Sequence, residues 1–471
     1  MRKSILFLAF VALAFASQTK AQDIKYYNLD KLPNAGIYLP APPDTSSLLF
    51  ADDFNQWIWG KSMRATQRGR QASWESYFGV ERMATVFGEA MGFEISKTKT
   101  PAIWHFMHRV GETGHSAVTL AKRKYMRVRP FARMNEHVAG EFDNEEELRG
   151  NGSYPSGHTA LGWTTALALA EMAPELQDTI LRRGFEYGQS RVIVGAHWQS
   201  DVDASRLASS AAMARIHTHP DYYADLDAAR KEFVQHYKGN LGAAVSFPNS
   251  CRILDAPFDT ASRRYYADIN AHWIAKSERA TLRGYQAIAD ADNSIDAMLL
   301  CFSQSMGLAL SRQHTPHIFA LLNEARQTLV EQSEALKNTV SRKRPYVQLG
   351  EKTLMPQYEE RYRNTSSYVS THAAIGWGLS LLLAELNPDH QDAILQRGFE
   401  YGYSRVIAGY QYASDVQAAR LVASYSIGRL HADPAFRTLI DNARNEYKQL
   451  TGRHIPQKIV EIKNKPRKRR K

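Results

Sequence analysis

Three stretches of this chain occur twice, and the repetition constrains the fold more than any other feature. Lys61-Ser-Met-Arg-Ala-Thr-Gln-Arg-Gly69 returns as Lys276-Ser-Glu-Arg-Ala-Thr-Leu-Arg-Gly284. Arg183-Gly-Phe-Glu-Tyr-Gly188 returns as Arg397 to Gly402, and Ser190-Arg-Val-Ile193 as Ser404 to Ile407. The offset is 215 early and 214 later, so a single-residue indel separates two copies. A period this long is a duplicated domain and not a solenoid. Gly239, Gly242, Pro248 and Asn249 break the helical pattern and place the junction within Lys238–Arg252. The expected organisation is a leader over 1–21, a first copy over 22–245, a second over 246–452 and a basic tail over 453–471.

Each copy reads as helix. Apolar residues recur at three and four from Trp104 to Leu120, Leu161 to Met172 and Phe302 to Leu336, while period-2 runs are scarce. Pro33, Pro40, Pro42 and Pro43 mark an extended arm before Phe50. The fold class expected is all-α, with two tandem helical domains.

Met1-Arg-Lys, an apolar run from Ile5 to Ala16 and then Thr19-Lys-Ala21 have the form of a secretory signal peptide, and the mature chain is expected to begin near Gln22. A membrane anchor needs roughly 20 apolar residues, and this run is shorter. Leu161–Ala173 and Ile375–Leu386 are also short, carry polar positions, and read as buried helices, so an exported chain with no transmembrane segment is expected. The formal charge is +11. Arg2, Lys3 and Lys20 supply three of it and the tail from Lys458 to Lys471 a net seven. The body is therefore near neutral, and no nucleic-acid partner is expected. Export permits a disulfide between Cys251 and Cys301, the only cysteines, but the sequence does not fix their geometry.

Three separated clusters in the first copy suit phosphoryl chemistry: Lys122 with Arg129-Pro130; Gly152-Ser-Tyr-Pro-Ser156-Gly157-His158-Thr159; and Ser190-Arg191 followed by His197 and Asp201. A phosphoryl group in its transition state needs positive donors around its oxygens. Lys122 offers a point charge, and Arg129 and Arg191 offer planar forks. Pro130 is expected to end or kink a helix just after Arg129. Ser156 reads as an N-cap and Gly157 as a point of close backbone approach, with amides facing an anion. His158 is then placed as general acid. With 190–201 read as one helix, Asp201 lies one turn after His197, takes its Nδ1 proton and leaves Nε2 as an oriented lone pair.

Lys-x6-Arg-Pro, Pro-Ser-Gly-His and Ser-Arg-x5-His-x3-Asp together resemble the tripartite signature of the PAP2 superfamily. Its members include bacterial class A non-specific acid phosphatases, lipid phosphate phosphatases and vanadium haloperoxidases. The Gly152–Thr159 run, the leader and the Leu39–Pro43 arm look most like the class A enzymes. The resemblance spans about residues 35–240 and implies a helical fold and a metal-free, cofactor-free phosphohistidine mechanism on phosphomonoesters, inhibited by phosphate or vanadate. By the same resemblance His197 is nucleophile, Asp201 its orienter and His158 the general acid, with Lys122, Arg129, Ser156, Gly157 and Arg191 on phosphate oxygens. The alternatives are a vanadium haloperoxidase using the same cradle and a lipid or headgroup phosphatase, whose relatives carry membrane helices.

The second copy keeps Lys337, Arg344, Ser370, His372, Arg405 and Asp415, but Pro-Ser-Gly-His has become Val369-Ser370-Thr371-His372 and the nucleophile position is Gln411. An amide nitrogen has no free lone pair with which to attack phosphorus, and Thr371 adds a Cβ where glycine stood. The second copy is expected to be inert, to retain most of a cationic cradle, and to take the place of a partner subunit in a covalent pseudo-dimer.

Overall fold

The computed structural model describes residues 24–241 and 245–453; the expected leader and the basic tail beyond Arg453 lie outside them. The described residues are helical, with no strand among them. Four helices frame the first copy: α1 (Pro101–Ser116), α2 (Gly157–Met172), α3 (Gln177–Ile193) and α4 (Gln199–Ile216). Their counterparts are α5 (Pro316–Thr339), α6 (Thr371–Leu386), α7 (Gln391–Ala408) and α8 (Ala413–His431).

The middle helix of each set explains the all-round apolar runs. All 16 residues of α2 are buried, because α1, α3 and α4 surround it and α8 of the other copy closes its remaining side. The close α2–α3 approach depends on Gly162, where a Cβ would stand 2.4 Å from Tyr187 Cδ1. Gly376 and Tyr401 repeat the arrangement, with 2.6 Å at the same place. Trp163 and Trp377 are fully buried at the centres of the two copies. Truncating either to alanine costs about 3–5 kcal/mol.

Two expectations need correction. The pattern from Phe302 to Leu336 is not one helix. One helix ends at Met306 on Gly307, whose φ is +66°, and α5 starts afresh at Pro316. Glycine takes the left-handed stop at no steric cost, and proline fits the first helical position, where its missing N–H is not needed. The arm is likewise not wholly extended, since Leu29–Lys31 and Ala35–Tyr38 form short helical turns.

Those turns cross between copies. Ala35–Tyr38 packs on α7 of the second copy, Asn34 N–H donates to Asp392 at 2.8 Å, and Tyr38 lies against Trp377. Reciprocally, Ser250–Ile253, in the arm that opens the second copy, packs on α3 of the first, and Asn249 N–H donates to Asp178 at 2.8 Å. The helices α2, α4, α6 and α8 complete the seam, across which Trp377 Nε1 donates to Ser210. Both cysteines are free thiols.

Candidate active site

The sequence-predicted residues come from four places. Lys122 lies on the helix Thr119–Tyr125, which stops at Met126 in a left-handed conformation, so Arg127 and Val128 lie outside any helix and lead to an extended Arg129. Pro130 does not end that helix. It opens a new one, Pro130–Arg133, with Arg129 at its N-cap. Nor is 190–201 one helix. Gly195, at φ +78°, stops the chain after α3, and Trp198 is the extended N-cap of α4, so His197 sits in the connection. Asp201 still reaches it, from the third position of α4, where Oδ2 also accepts the Trp198 N–H at 2.8 Å. A capping interaction, not a helical turn, sets the pair.

His197 Nδ1 lies 3.4 Å from Asp201 Oδ2, and Arg129 Nη1 donates to His197 Nε2 at 2.9 Å. A guanidinium has no acceptor, so Nε2 must carry the lone pair and Nδ1 the proton. Burial and the Arg129 charge push His197 well below the usual imidazole range, against the pull of Asp201. Burial would raise Asp201, but Arg127, His197 and Ser153 hold its carboxyl below the ordinary carboxylate range.

The start of α2 matches the expected cap. Ser156 Oγ accepts from Thr159 N and from the Thr159 hydroxyl, so that oxygen serves the cap. An anion there meets the first-turn amides of Gly157 and His158, which have no intrahelical acceptor, and the Ser156 hydroxyl, whose own hydrogen the cap does not use. His158 Nε2 donates to Ser76 O at 2.9 Å, which leaves Nδ1 as the uncommitted nitrogen. Burial, then Arg191, pushes His158 well below its usual range.

The three cations are buried together. Arg191 is fully buried, with Nη2 on Asp143 Oδ1 at 2.6 Å, while its Nε and Nη1 have no hydrogen-bond partner. Lys122 Nζ donates to Gly152 O at 2.6 Å. Burial and the Arg129 charge push the lysine well below its usual range, and burial and Arg191 bring Arg129 down to about 10. Two unpaired, buried guanidinium N–H groups among like charges form a pocket electrostatically suited to an anion.

Sequence reasoning missed the frame beneath. Arg127 bridges Asp201 Oδ1 and Asp53 Oδ2, each at 2.6 Å, and Asp53 accepts the Ser200 N–H. Burial raises Asp53 to about 6, with Arg127 opposing. Glu75 takes Arg183 and the Ser190 hydroxyl, and Arg68 donates to Ser190 at 2.8 Å, so Ser190 positions α3. The repeat itself was the available signal. Asp53, Arg68 and Arg127 recur 215 residues on as Asp268, Arg283 and Arg342, and Glu75 as Asp290.

The second copy keeps that frame: Arg342 joins Asp415 and Asp268, and Asp290 takes Arg397 and Ser404. Its centre differs. Gln411 Oε1 faces Arg405 Nε at 3.4 Å, and without an imidazole beside it Asp415 is pushed up by burial despite Arg342. Lys337 donates to Thr371 and to Glu334 Oε1, so a carboxylate occupies ground where the first copy, at the equivalent position, has Thr119. The surviving cradle is thus partly neutralised from within. His372 donates to Ala291 O at 3.0 Å, as His158 does to Ser76.

The family model described as the PAP2 superfamily matches twice, over residues 113–222 and 317–438. The chain is 41% identical over 218 residues to a non-specific acid phosphatase of Providencia stuartii, covering 46% of this chain and 88% of that protein. It is 38% identical over 248 residues to a non-specific acid phosphatase of Salmonella typhimurium, covering 52% and 98%. An acid phosphatase of Zymomonas mobilis is 33% identical over 196 residues, covering 42% and 74%. Half of this chain therefore spans nearly a whole relative, and the chain belongs to the PAP2 superfamily, as a phosphatase built by tandem duplication.

Proposed function

We propose that the protein is an exported acid phosphatase, periplasmic or secreted, that hydrolyses phosphomonoesters through a phosphohistidine on His197 in the first copy alone. The observation that carries this reading is the donor-only Arg129 on His197 Nε2, with Nδ1 turned to Asp201. The nucleophilic lone pair is fixed on the side away from the carboxylate.

In the reaction, Lys122, Arg129, Arg191, the Ser156 hydroxyl and the amides of Gly157 and His158 hold the phosphoryl oxygens, and Arg129 passes from Nε2 to the substrate. His197 Nε2 forms the P–N bond as the ester P–O bond breaks. The leaving alkoxide takes its pair of electrons and a proton from Nδ1 of protonated His158. Asp201 balances the positive charge that the phosphorylated ring acquires. Water then attacks phosphorus, His158 takes its proton, and the P–N pair returns to His197. The bound dianion supplies the charge that lets His158 protonate in a pocket that otherwise depresses it. No metal is assigned a role, because the cations surround the phosphoryl group and the nearby carboxylates are already engaged: Asp201 by Arg127 and Asp143 by Arg191.

The second copy is proposed to do no hydrolysis, given Gln411, Thr371 and the Glu334–Lys337 pair. Its proposed role is that of a fused partner, and the reciprocal arms support a covalent pseudo-dimer over domains of 22–245 and 246–452. Turnover of p-nitrophenyl phosphate from pH 4 to 8, with EDTA and with vanadate, tests the reading. It predicts acid-favoured, EDTA-resistant, vanadate-sensitive activity, and an acid-labile, base-stable phosphoenzyme that His197→Ala abolishes. Full turnover in that variant would overturn it.

A further inference from the structure

A cleft of about 890 Å³ opens between the copies, and none of the phosphate-site motif residues lines it. Its walls are related by the repeat: Tyr154, Phe185 and Leu207 are matched by Tyr368, Phe399 and Leu421, and Leu39 and Leu254 enter from the two arms. The lining is largely apolar, and the volume is that of a small-molecule site.

One polar feature breaks the symmetry. Arg206 on α4 and Arg420 on α8 are equivalent, and both are buried. Each guanidinium stands over a phenylalanine of the preceding helix, Phe185 or Phe399, at 3.8 Å from the ring centroid. Each also sends Nη2 to the carbonyl of that phenylalanine, at 2.9 and 2.8 Å. In the first copy Arg206 Nη1 donates to Asp203 Oδ1 at 2.9 Å, and Gln199, itself held by Gln189, donates to the same oxygen. The second copy has Gln417, Ala413 and Tyr403 at those three positions. Gln417 turns across the seam to donate to Asp203 O at 3.4 Å, and the Tyr403 hydroxyl donates to Glu278 at 2.6 Å. Arg420 therefore pairs with no carboxylate among the described residues, and its Nε is buried without a partner. Burial pushes its guanidinium down to about 9 with no charged neighbour opposing, whereas Asp203 opposes the same effect at Arg206. The other charges on the walls are satisfied: Asp52, Asp203, Asp255 and Asp268 each have a guanidinium partner, and Arg263 is exposed.

We propose that the cleft between the copies binds an apolar monocarboxylate, a fatty or aryl acid. Its carboxylate takes on Arg420 the place that Asp203 holds on Arg206, and its body lies along the apolar walls. One guanidinium balances one negative charge. A phosphate dianion would bring a second charge among four aspartates, and an uncharged apolar ligand would leave Arg420 unpaired. A carboxylate also offers the planar pair of oxygens that suits a guanidinium, and a hydrogen bond between such charged groups is about twice as strong as a neutral one.

Calorimetric titration of the full mature chain tests this with decanoate, naphthoate and decanol, with inorganic phosphate present to fill the catalytic pocket. Saturable binding of an acid, a single molecule per chain, is expected, with decanol weaker than decanoate by about tenfold or more. The better-bound acid tells the fatty source from the aryl one. Gln417→Asp rebuilds in the second copy the pair that the first copy has, so affinity for the acid should fall about tenfold or more. In that variant the ligand-free melting temperature should hold or rise, and turnover of p-nitrophenyl phosphate should be unchanged. Arg420→Gln should abolish binding; should it fail to fold, Gln417→Asp decides alone. No saturable binding of either acid, decanol bound as tightly as decanoate, or affinity unchanged in Gln417→Asp would overturn the proposal.

Discussion

Replacing Arg191 by lysine separates phosphate binding from folding. The guanidinium is fully buried, one arm pairs with Asp143 at 2.6 Å, and Nε and Nη1 have no partner. Alanine is the wrong probe, because it would strand Asp143 as an uncompensated buried charge at about 3–5 kcal/mol. Lysine keeps the charge and the reach to Asp143 but removes the two free N–H groups. A hydrogen bond to a charged group contributes about 1.5–3 kcal/mol, so losing two costs the transition state about 3–6 kcal/mol. At about 1.4 kcal/mol per tenfold, kcat/KM on p-nitrophenyl phosphate should fall roughly 10²- to 10⁴-fold. Inhibition by vanadate should weaken in parallel, while the melting temperature without ligand should hold or rise, since two unsatisfied donors have left the interior. A loss below tenfold with unchanged vanadate inhibition would refute the reasoning and make Arg191 a structural partner of Asp143.

Other outcomes follow from the same geometry. His197 and His158 are depressed in the empty fold, so the folded state resists protons that the unfolded chain accepts. Their contribution is complete above the unfolded imidazole value of about 6.5 and is lost as pH falls below it toward the folded values. Sulfate, whose charge is constant over this range, should therefore raise the melting temperature more at pH 5 than at pH 8; an equal or smaller shift at pH 5 would contradict that sign. Gln411→His in a chain already silenced by His197→Ala should show no turnover, because Thr371 and Glu334 still engage Lys337; measurable hydrolysis would show that one residue had disabled the copy. Asp392→Ala frees the arm at Asn34 and should lower stability by about 1–2 kcal/mol in urea unfolding with kcat retained; an unchanged midpoint would make that arm contact incidental. The first copy alone, residues 22–245, should aggregate or self-associate where α2 and α4 lose their cover; a soluble, fully active monomer would sink the pseudo-dimer.

How far the site could be read from sequence follows from how each residue acts. Lys122, Arg129, His158, Arg191, His197 and Asp201 are motif residues whose side chains meet at one pocket, so their types, their spacing and the family resemblance these carry named them. The path between them was less legible. Gly195 turns what looked like one helix into two, and a periodicity argument does not register one left-handed residue among apolar neighbours. The supporting ion pairs were hidden for another reason. Asp53 and Arg127 lie 74 residues apart, and nothing local marks a buried aspartate as anything but a helix surface. The duplication offered a way in, since residues kept in both copies while the proposed nucleophile was not are those that the fold itself requires. Glu334 was the reverse case: a solvated-looking charge on α5 that turns into the second pocket and pairs with its lysine.

That division explains the asymmetry of the molecule. In both copies an arginine ties the aspartate at the start of the last core helix to an aspartate on a distant helix, through Arg127 with Asp201 and Asp53, and Arg342 with Asp415 and Asp268. In the first copy that aspartate also faces the histidine, so frame and chemistry share one carboxylate. In the second only the frame remains, and it sets the start of α8, the helix that covers α2 of the first copy and ends in His431 at the seam. Changing Gln411 or Thr371 alters a pocket proposed to be inert; losing Arg342 would release the start of the helix on which the other copy's core is closed. The proposed loss of catalysis and the retention of the frame therefore do not conflict, because the second copy packs on the first through α8 and the arms, and none of those contacts passes through its own pocket.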